Sequence, residues 1–215
     1  MKNRFDLLIF DWDGTLINSI DWITHCLQHA AVVCQFPVPE AQAAKDVIGL
    51  SIDKAMLGLF PGIDKPTQDR LVDIYSRQYA SKQLSRDDLF PGVYDMLVHY
   101  KASGYQLAVA TGKTRDGLQT ALQATGTEDL FCITRCSDET ASKPHPKMLH
   151  EILSHTQIAN ERAVMVGDSI HDLQMAHNTP ISAIAVASGA HPASLLQQHQ
   201  PLLCLHQPAE LLQFI

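Results

Sequence analysis

Hydrophobic and polar positions divide the chain into two kinds of pattern. Residues 6–10 form a short apolar run ending at Asp11, which suits a buried strand whose C-terminal end delivers that carboxylate to the surface. From Ile17 to Ser85 the signals become helical. Ser19 is placed to cap a first helix, Ser51 a third, and Pro66 fits the first turn of a fourth, while Pro37 and Pro39 interrupt the series. No strand is expected in this block, which reads as a small helical domain inserted after the first strand. Beyond Phe90-Pro91-Gly92 the alternation changes again. Val93, Met96, Leu97 and Tyr100 follow the i, i+3, i+4, i+7 stripe of a core-facing helix, which Gly104 ends. Strands are then expected over residues 105–110, 131–134, 163–166 and 181–186, and helices over 114–124, 146–155, 169–177 and 192–198, with a last helix from Pro208. Strands alternating with helices predict a parallel sheet covered on both faces. The fold class is therefore α/β, a Rossmann-like sheet core built from residues 1–16 and 86–215, with a helical cap domain over residues 17–85.

Composition narrows the function classes. Hydrophobic residues make up 46% of the 215 positions and charged ones 18%, a chain able to build a core without disulfides. A net charge of −7, with no long basic run, argues against nucleic acid as a partner. No segment is long and apolar enough for a bilayer. The five cysteines, Cys26, Cys34, Cys132, Cys136 and Cys204, are odd in number and lack C-x-x-C spacing. They read as reduced thiols of a cytoplasmic protein. The oligomeric state is left open.

Four short sequences fall just after expected strands: Asp11-Trp12-Asp13-Gly14-Thr15, Thr111-Gly112-Lys113, Lys143-Pro144, and Gly167-Asp168-Ser169 with Asp172 beyond. In a parallel sheet, ligands bind beyond the carboxyl ends of the strands, so the topology gathers these segments at one edge. Carboxylates brought that close repel one another unless a cation lies between them. Oxygen-only ligands without His or Cys point to Mg²⁺, which takes one or two carboxylates, waters and a substrate phosphate oxygen. Asp11 is the candidate nucleophile, because an aspartate can form an aspartyl-phosphate. Gly14 implies a turn that points Asp13 toward the leaving group, where one acid/base group serves both half-reactions. Lys143 and backbone N–H groups near Thr111 are set to absorb charge on the phosphoryl oxygens. Asp168 would hold the metal from the opposite side, with Asp172 one helical turn along.

D-x-D-G-T at the first strand, T-G-K after the second, K-P before a helix and G-D-S-x-x-D after the next strand resemble, in order and spacing, the four motifs of haloacid dehalogenase-like phosphatases. The likeness is nearest to the phosphoglycolate phosphatase-like branch. It implies Asp11 as nucleophile, Asp13 as acid/base, Thr111 as a phosphate-binding hydroxyl beside Gly112, and Lys143 as the cation that steadies the phosphoryl group. It also implies Mg²⁺ on Asp11, Asp168 and the backbone carbonyl of Asp13, with Asp172 in support, and a small phosphorylated metabolite as substrate. The chain departs from many relatives in having Gly112 where T-N-K is common, and His171 where Asn precedes the last Asp.

Plainer readings stand beside these. Asp172 is also placed to support a loop or helix start, and Thr15 and Ser169 to act as ordinary turn or capping residues. Trp12 is expected to pack in the core. His25 and His29, one turn apart around Cys26, have zinc-ligand spacing but no third ligand. Of the competing functions, a receiver-type signalling domain would not need the helical insertion, and a haloacid dehalogenase would gain nothing from magnesium ligands. A noncatalytic scaffold would be expected to have lost one of the four charged residues. A sugar phosphomutase shares every catalytic part and stays open. The insertion is expected to close over the site through hinges near Ile17 and Arg86, with Gly49-Leu50-Ser51 reaching a compact substrate.

Overall fold

The computed structural model describes residues 4–214. Six strands, β1 (Leu7–Phe10), β2 (Gln106–Thr111), β3 (Ile133–Cys136), β4 (Ala163–Gly167), β5 (Ser182–Val186) and β6 (Leu203–Leu205), form one sheet in the order β3-β2-β1-β4-β5-β6. Every neighbouring pair is parallel. Strand β1 lies at the centre, with Phe10 aligned to Val109 on one side and Val166 on the other. The chain builds outward from β1 in one direction through β2 and β3, then returns to add β4. A crevice opens where the order reverses, between the carboxyl ends of β1 and β4.

The two-residue period of a strand sends alternate side chains to opposite faces. Leu8 and Phe10 join Val93, Met96, Leu97 and Leu118 in one hydrophobic cluster, contributed by α5 (Val93–Ala102) and α6 (Arg115–Thr125). Leu7 and Ile9 join Met148, Leu149, Ile152 and Met175 in a second cluster, contributed by α7 (Lys147–Thr156) and α8 (Ile170–Asn178). A strand buried on both faces explains the unbroken apolar run at Leu7–Phe10.

Helices α1 (Ile20–Val33), α2 (Ala41–Asp46), α3 (Ile52–Leu59) and α4 (Lys65–Ala80) share their own cluster around Ile23, Leu27, Met56 and Leu71. Ser51 caps α3 by accepting from the Lys54 amide, and Pro66 occupies the first turn of α4. Ser19 precedes α1 but does not cap it with its side chain; its hydroxyl donates instead to Asp13 Oδ1 at 2.8 Å. The site has taken a group that local helix chemistry would have used.

The expected elements appear with boundaries moved by one or two residues, and the C-terminal part differs most. The helix expected over 192–198 is α9 (Ala193–Leu196) followed by a short 3₁₀ turn, and the segment from Pro208 is 3₁₀ rather than α-helical. Strand β6, three residues at the sheet edge, was not expected.

Candidate active site

The parallel register brings the predicted segments together. Asp11 follows β1, and its amide donates to the Val166 carbonyl of β4 at 2.9 Å, fixing the loop at the crevice. Thr111 ends β2 and Asp168 follows β4. All three are buried. One carboxylate oxygen from each of Asp11, Asp168 and Asp172 lies within 4.8 Å of the others.

Lys143, fully buried, sits among them. Its Nζ lies 2.7 Å from Asp11 Oδ1 and 2.6 Å from Asp172 Oδ1. Burial opposes its charge, but the two carboxylates outweigh that and hold the ammonium protonated. Asp168 accepts from the Thr15 hydroxyl at 2.8 Å and from the Ala190 amide at 2.7 Å. Thr15 is therefore more than a turn residue. Asp172 accepts from the Ser169 hydroxyl at 2.7 Å and the Ser169 amide at 3.1 Å, closing a capping box at the start of α8. It both starts the helix and anchors Lys143. Gly14, at φ +76°, sits so close to Asp168 that a Cβ there would collide with its carboxylate. Glycine provides the turn as well as the room.

Asp13 belongs to a different set of contacts. Besides Ser19, it pairs with Lys113 Nζ at 3.1 Å, and Lys113 donates to the Tyr79 hydroxyl of α4 at 2.7 Å. The two aspartates of the first motif are thus divided between a fully buried lysine and a lysine that lines the cavity. Lys113 and Tyr79 were given no role by the sequence, and Ser19 only that of a helix cap. Lys113 stood in the T-G-K motif and was the one a pattern could have found.

Gly112 is pressed against the insertion. A Cβ on it would collide with the Leu50 carbonyl oxygen and come within 2.6 Å of that of Gly49. The absence of a side chain lets the Gly49-Leu50 turn seat on the sheet edge. Ser51 continues this contact through its amide, which donates to Ser142 Oγ at 2.8 Å. Gly49 and Leu50 line the cavity that Asp13 also lines, whereas the Ser51 amide is bonded at the junction. Trp12 is fully buried and meets Phe131 edge to face. His25 and His29 stack with each other, and His25 with Trp22, along α1. Cys136 is buried and Cys132 exposed, both as free thiols.

The deep cluster carries a surplus of negative charge. Burial pushes the Asp11 carboxyl well above the usual carboxylate range despite Lys143, and the charges of Asp172 and Asp168 push the same way. Burial, reinforced by Asp172, raises Asp168 to about 7. Three carboxylates around one ammonium, all oxygen donors, fit a hard divalent cation such as Mg²⁺. A carboxyl that binds protons more tightly folded than unfolded makes the metal-free protein lose stability as pH rises from 3.8 toward about 7. A cation displaces those protons and restores the stability, so its benefit grows over the same window. The rise in melting temperature on adding Mg²⁺ is expected to be larger at about pH 7.5 than at about pH 5.5. Equal increments at the two pH values would separate the cation from these carboxylates.

A family model described as haloacid dehalogenase-like hydrolase matches residues 8–186. The chain belongs to this family. Among relatives of this haloacid dehalogenase-like hydrolase, the protein named probable phosphatase IndB of Dickeya dadantii is 32% identical over 204 residues, covering 91% of this chain and 86% of the relative. A phosphoglycolate phosphatase of Nitrosococcus oceani is 27% identical, covering 94% and 92%. A solved haloacid dehalogenase-like family hydrolase from Streptococcus pneumoniae superposes with a TM-score of 0.82 at 26% identity, covering 98% of each chain. Among the described residues of this hydrolase, no helix is long and apolar enough to cross a membrane.

Proposed function

We propose that the chain is a magnesium-dependent phosphatase that hydrolyses a small organic phosphomonoester through an aspartyl-phosphate on Asp11. The observation that carries the reading is the separation of the two motif aspartates. Both line the cavity, but Asp11 pairs with the buried Lys143 at 2.7 Å, while Asp13 is held by Lys113 and Ser19. A nucleophile and an acid/base group need that division. The relatives named as phosphatases, one of them a phosphoglycolate phosphatase, support a monoester substrate.

In the first step a carboxylate oxygen of Asp11 attacks phosphorus, the bond from phosphorus to the ester oxygen breaks, and Asp13 gives its proton to the departing alcohol. In the second, Asp13 takes a proton from water as the water oxygen attacks phosphorus. Inorganic phosphate leaves and the Asp11 carboxylate is restored. The Thr111 hydroxyl and the Lys143 ammonium compensate charge on the transferring oxygens. Asp11, Asp168 and the Asp13 carbonyl would hold Mg²⁺, with Asp172 behind them, and the bound ion would screen the nucleophile from its anionic substrate. Helices α1–α4, within residues 17–85, act as a cap that excludes bulk water, over a core of residues 1–16 and 86–215.

The test is phosphate release from a panel of phosphomonoesters, with Mg²⁺ and after exhaustive chelation. Release that depends on the metal is expected. Full activity after chelation removes the metal from the account, and isomerisation of a sugar phosphate without phosphate release replaces the phosphatase with a phosphomutase.

A further inference from the structure

Beyond Asp13 the crevice opens into a cavity of about 730 Å³, within the size range that encloses drug-sized ligands. The carbon skeleton of glycolate would occupy a small part of it. The far wall comes from the helical insertion and is apolar, formed by Ile23, Leu27, Ile48, Ile52, Ala55 and Tyr75. Tyr75 stacks on Tyr79, with ring centroids 5.9 Å apart, so the wall carries an aromatic pair.

Charge decides what kind of alcohol suits this space. Two lysines line the cavity, and both are already paired: Lys113 with Asp13 and the Tyr79 hydroxyl, Lys82 with Asp88 at 2.7 Å. The other charged lining residues are carboxylates, Asp11, Asp13 and Asp116. A substrate bearing a second anionic group, a carboxylate or another phosphate, would have to shed its water against apolar side chains and acidic neighbours, or take a lysine from its partner. Either course is costly. An uncharged hydrophobic group meets no such penalty and gains from leaving water.

We propose that the alcohol released here is uncharged, mainly apolar and of ring size or larger, bound between the α1–α3 wall and the Tyr75–Tyr79 pair. The proposal rests on the phosphatase reading above and names its leaving group.

The test compares 2-phenylethyl phosphate, ethyl phosphate and phosphoglycolate with the full-length protein and Mg²⁺. All three release a poorly activated alkoxide, so their ratio reports the chamber more than intrinsic reactivity. Burial of the phenyl group predicts kcat/KM at least about tenfold higher for 2-phenylethyl phosphate than for ethyl phosphate, with phosphoglycolate below the phenyl ester. In the Ile52→Asn variant the ratio of phenyl to ethyl ester should fall toward one. Equal rates for the two alkyl esters, or a preference for phosphoglycolate, would overturn the proposal while leaving the phosphatase reading intact. No phosphate from any of the three or from 4-nitrophenyl phosphate would overturn both.

Discussion

Replacing Asp11 with Asn is expected to lower kcat by at least about 10⁴-fold, the scale seen when a covalent nucleophile is removed, without unfolding the protein. The amide is nearly isosteric with the carboxylate but far less nucleophilic. Its effect on stability should have the opposite sign to its effect on activity. Asp11 is buried, and its ionised form is disfavoured by burial and by the neighbouring carboxylates. A neutral group at this position relieves that repulsion, while Lys143 keeps its contact with Asp172. The metal-free variant should therefore melt at or above the temperature of the metal-free parent. Loss of activity together with a large fall in melting temperature would mean that Asp11 is held for structure.

The second large effect is expected at Lys143. Methionine at this position keeps much of the side-chain bulk but leaves Asp11 and Asp172 without the cation that lies within 2.7 Å of each. Removing one partner from a buried ionic set typically costs about 3–5 kcal/mol, and hydrogen-bonded partners are hard to replace in a site with no exposure. Urea denaturation of the metal-free Lys143→Met variant at neutral pH should show a loss of that order. Lower pH should reduce the deficit, since Asp11, whose carboxyl burial already pushes above the usual range, can then bind a proton. Turnover should fail as well, because among the described residues no other side chain is paired with Asp11 and Asp172 that could bring positive charge to the phosphoryl group beside the metal. A Met variant as stable as the parent would show that the lysine's pairing contributes little to the fold.

Local patterns revealed the central parts of this protein well. The run Leu7–Phe10 is buried on both faces of the sheet, so its shortness and unbroken hydrophobicity, rather than any period, marked a buried strand. The four motifs follow strands whose order a parallel sheet brings to one edge, which is why Asp11, Thr111, Lys143 and Asp168 could be associated before any coordinates. Contacts made only by tertiary packing were harder to see. Tyr79 sits on the last turn of α4 and reaches Lys113, 34 residues away, and no local rule distinguishes it from Tyr75. Ser19 looked like a helix cap because capping is the local use of a serine before a helix; its hydroxyl instead follows Asp13. Strand β6 is three residues long, too short for alternation to register. The apolar chamber belongs to the same class. Ile23, Ile48 and Ile52 each read as ordinary helix or loop hydrophobics, and only the packing of the insertion over the sheet edge turns them into one wall.

If Asp11 carries the phosphoryl group during turnover, the group can be trapped on it. The Asp13→Asn variant suits the experiment with an aryl phosphate, whose good leaving group departs without a general acid. The attacking water then lacks its base, so the intermediate should accumulate. The variant is mixed with the aryl phosphate and Mg²⁺, quenched in acid, digested and examined by mass spectrometry. One phosphoryl group is expected on the peptide containing Asp11, appearing together with a burst of aryl alcohol that matches the enzyme concentration. A burst of that size with the phosphoryl group on another residue, or steady release of phosphate with no modified Asp11 peptide at any quench time, would contradict this role of Asp11.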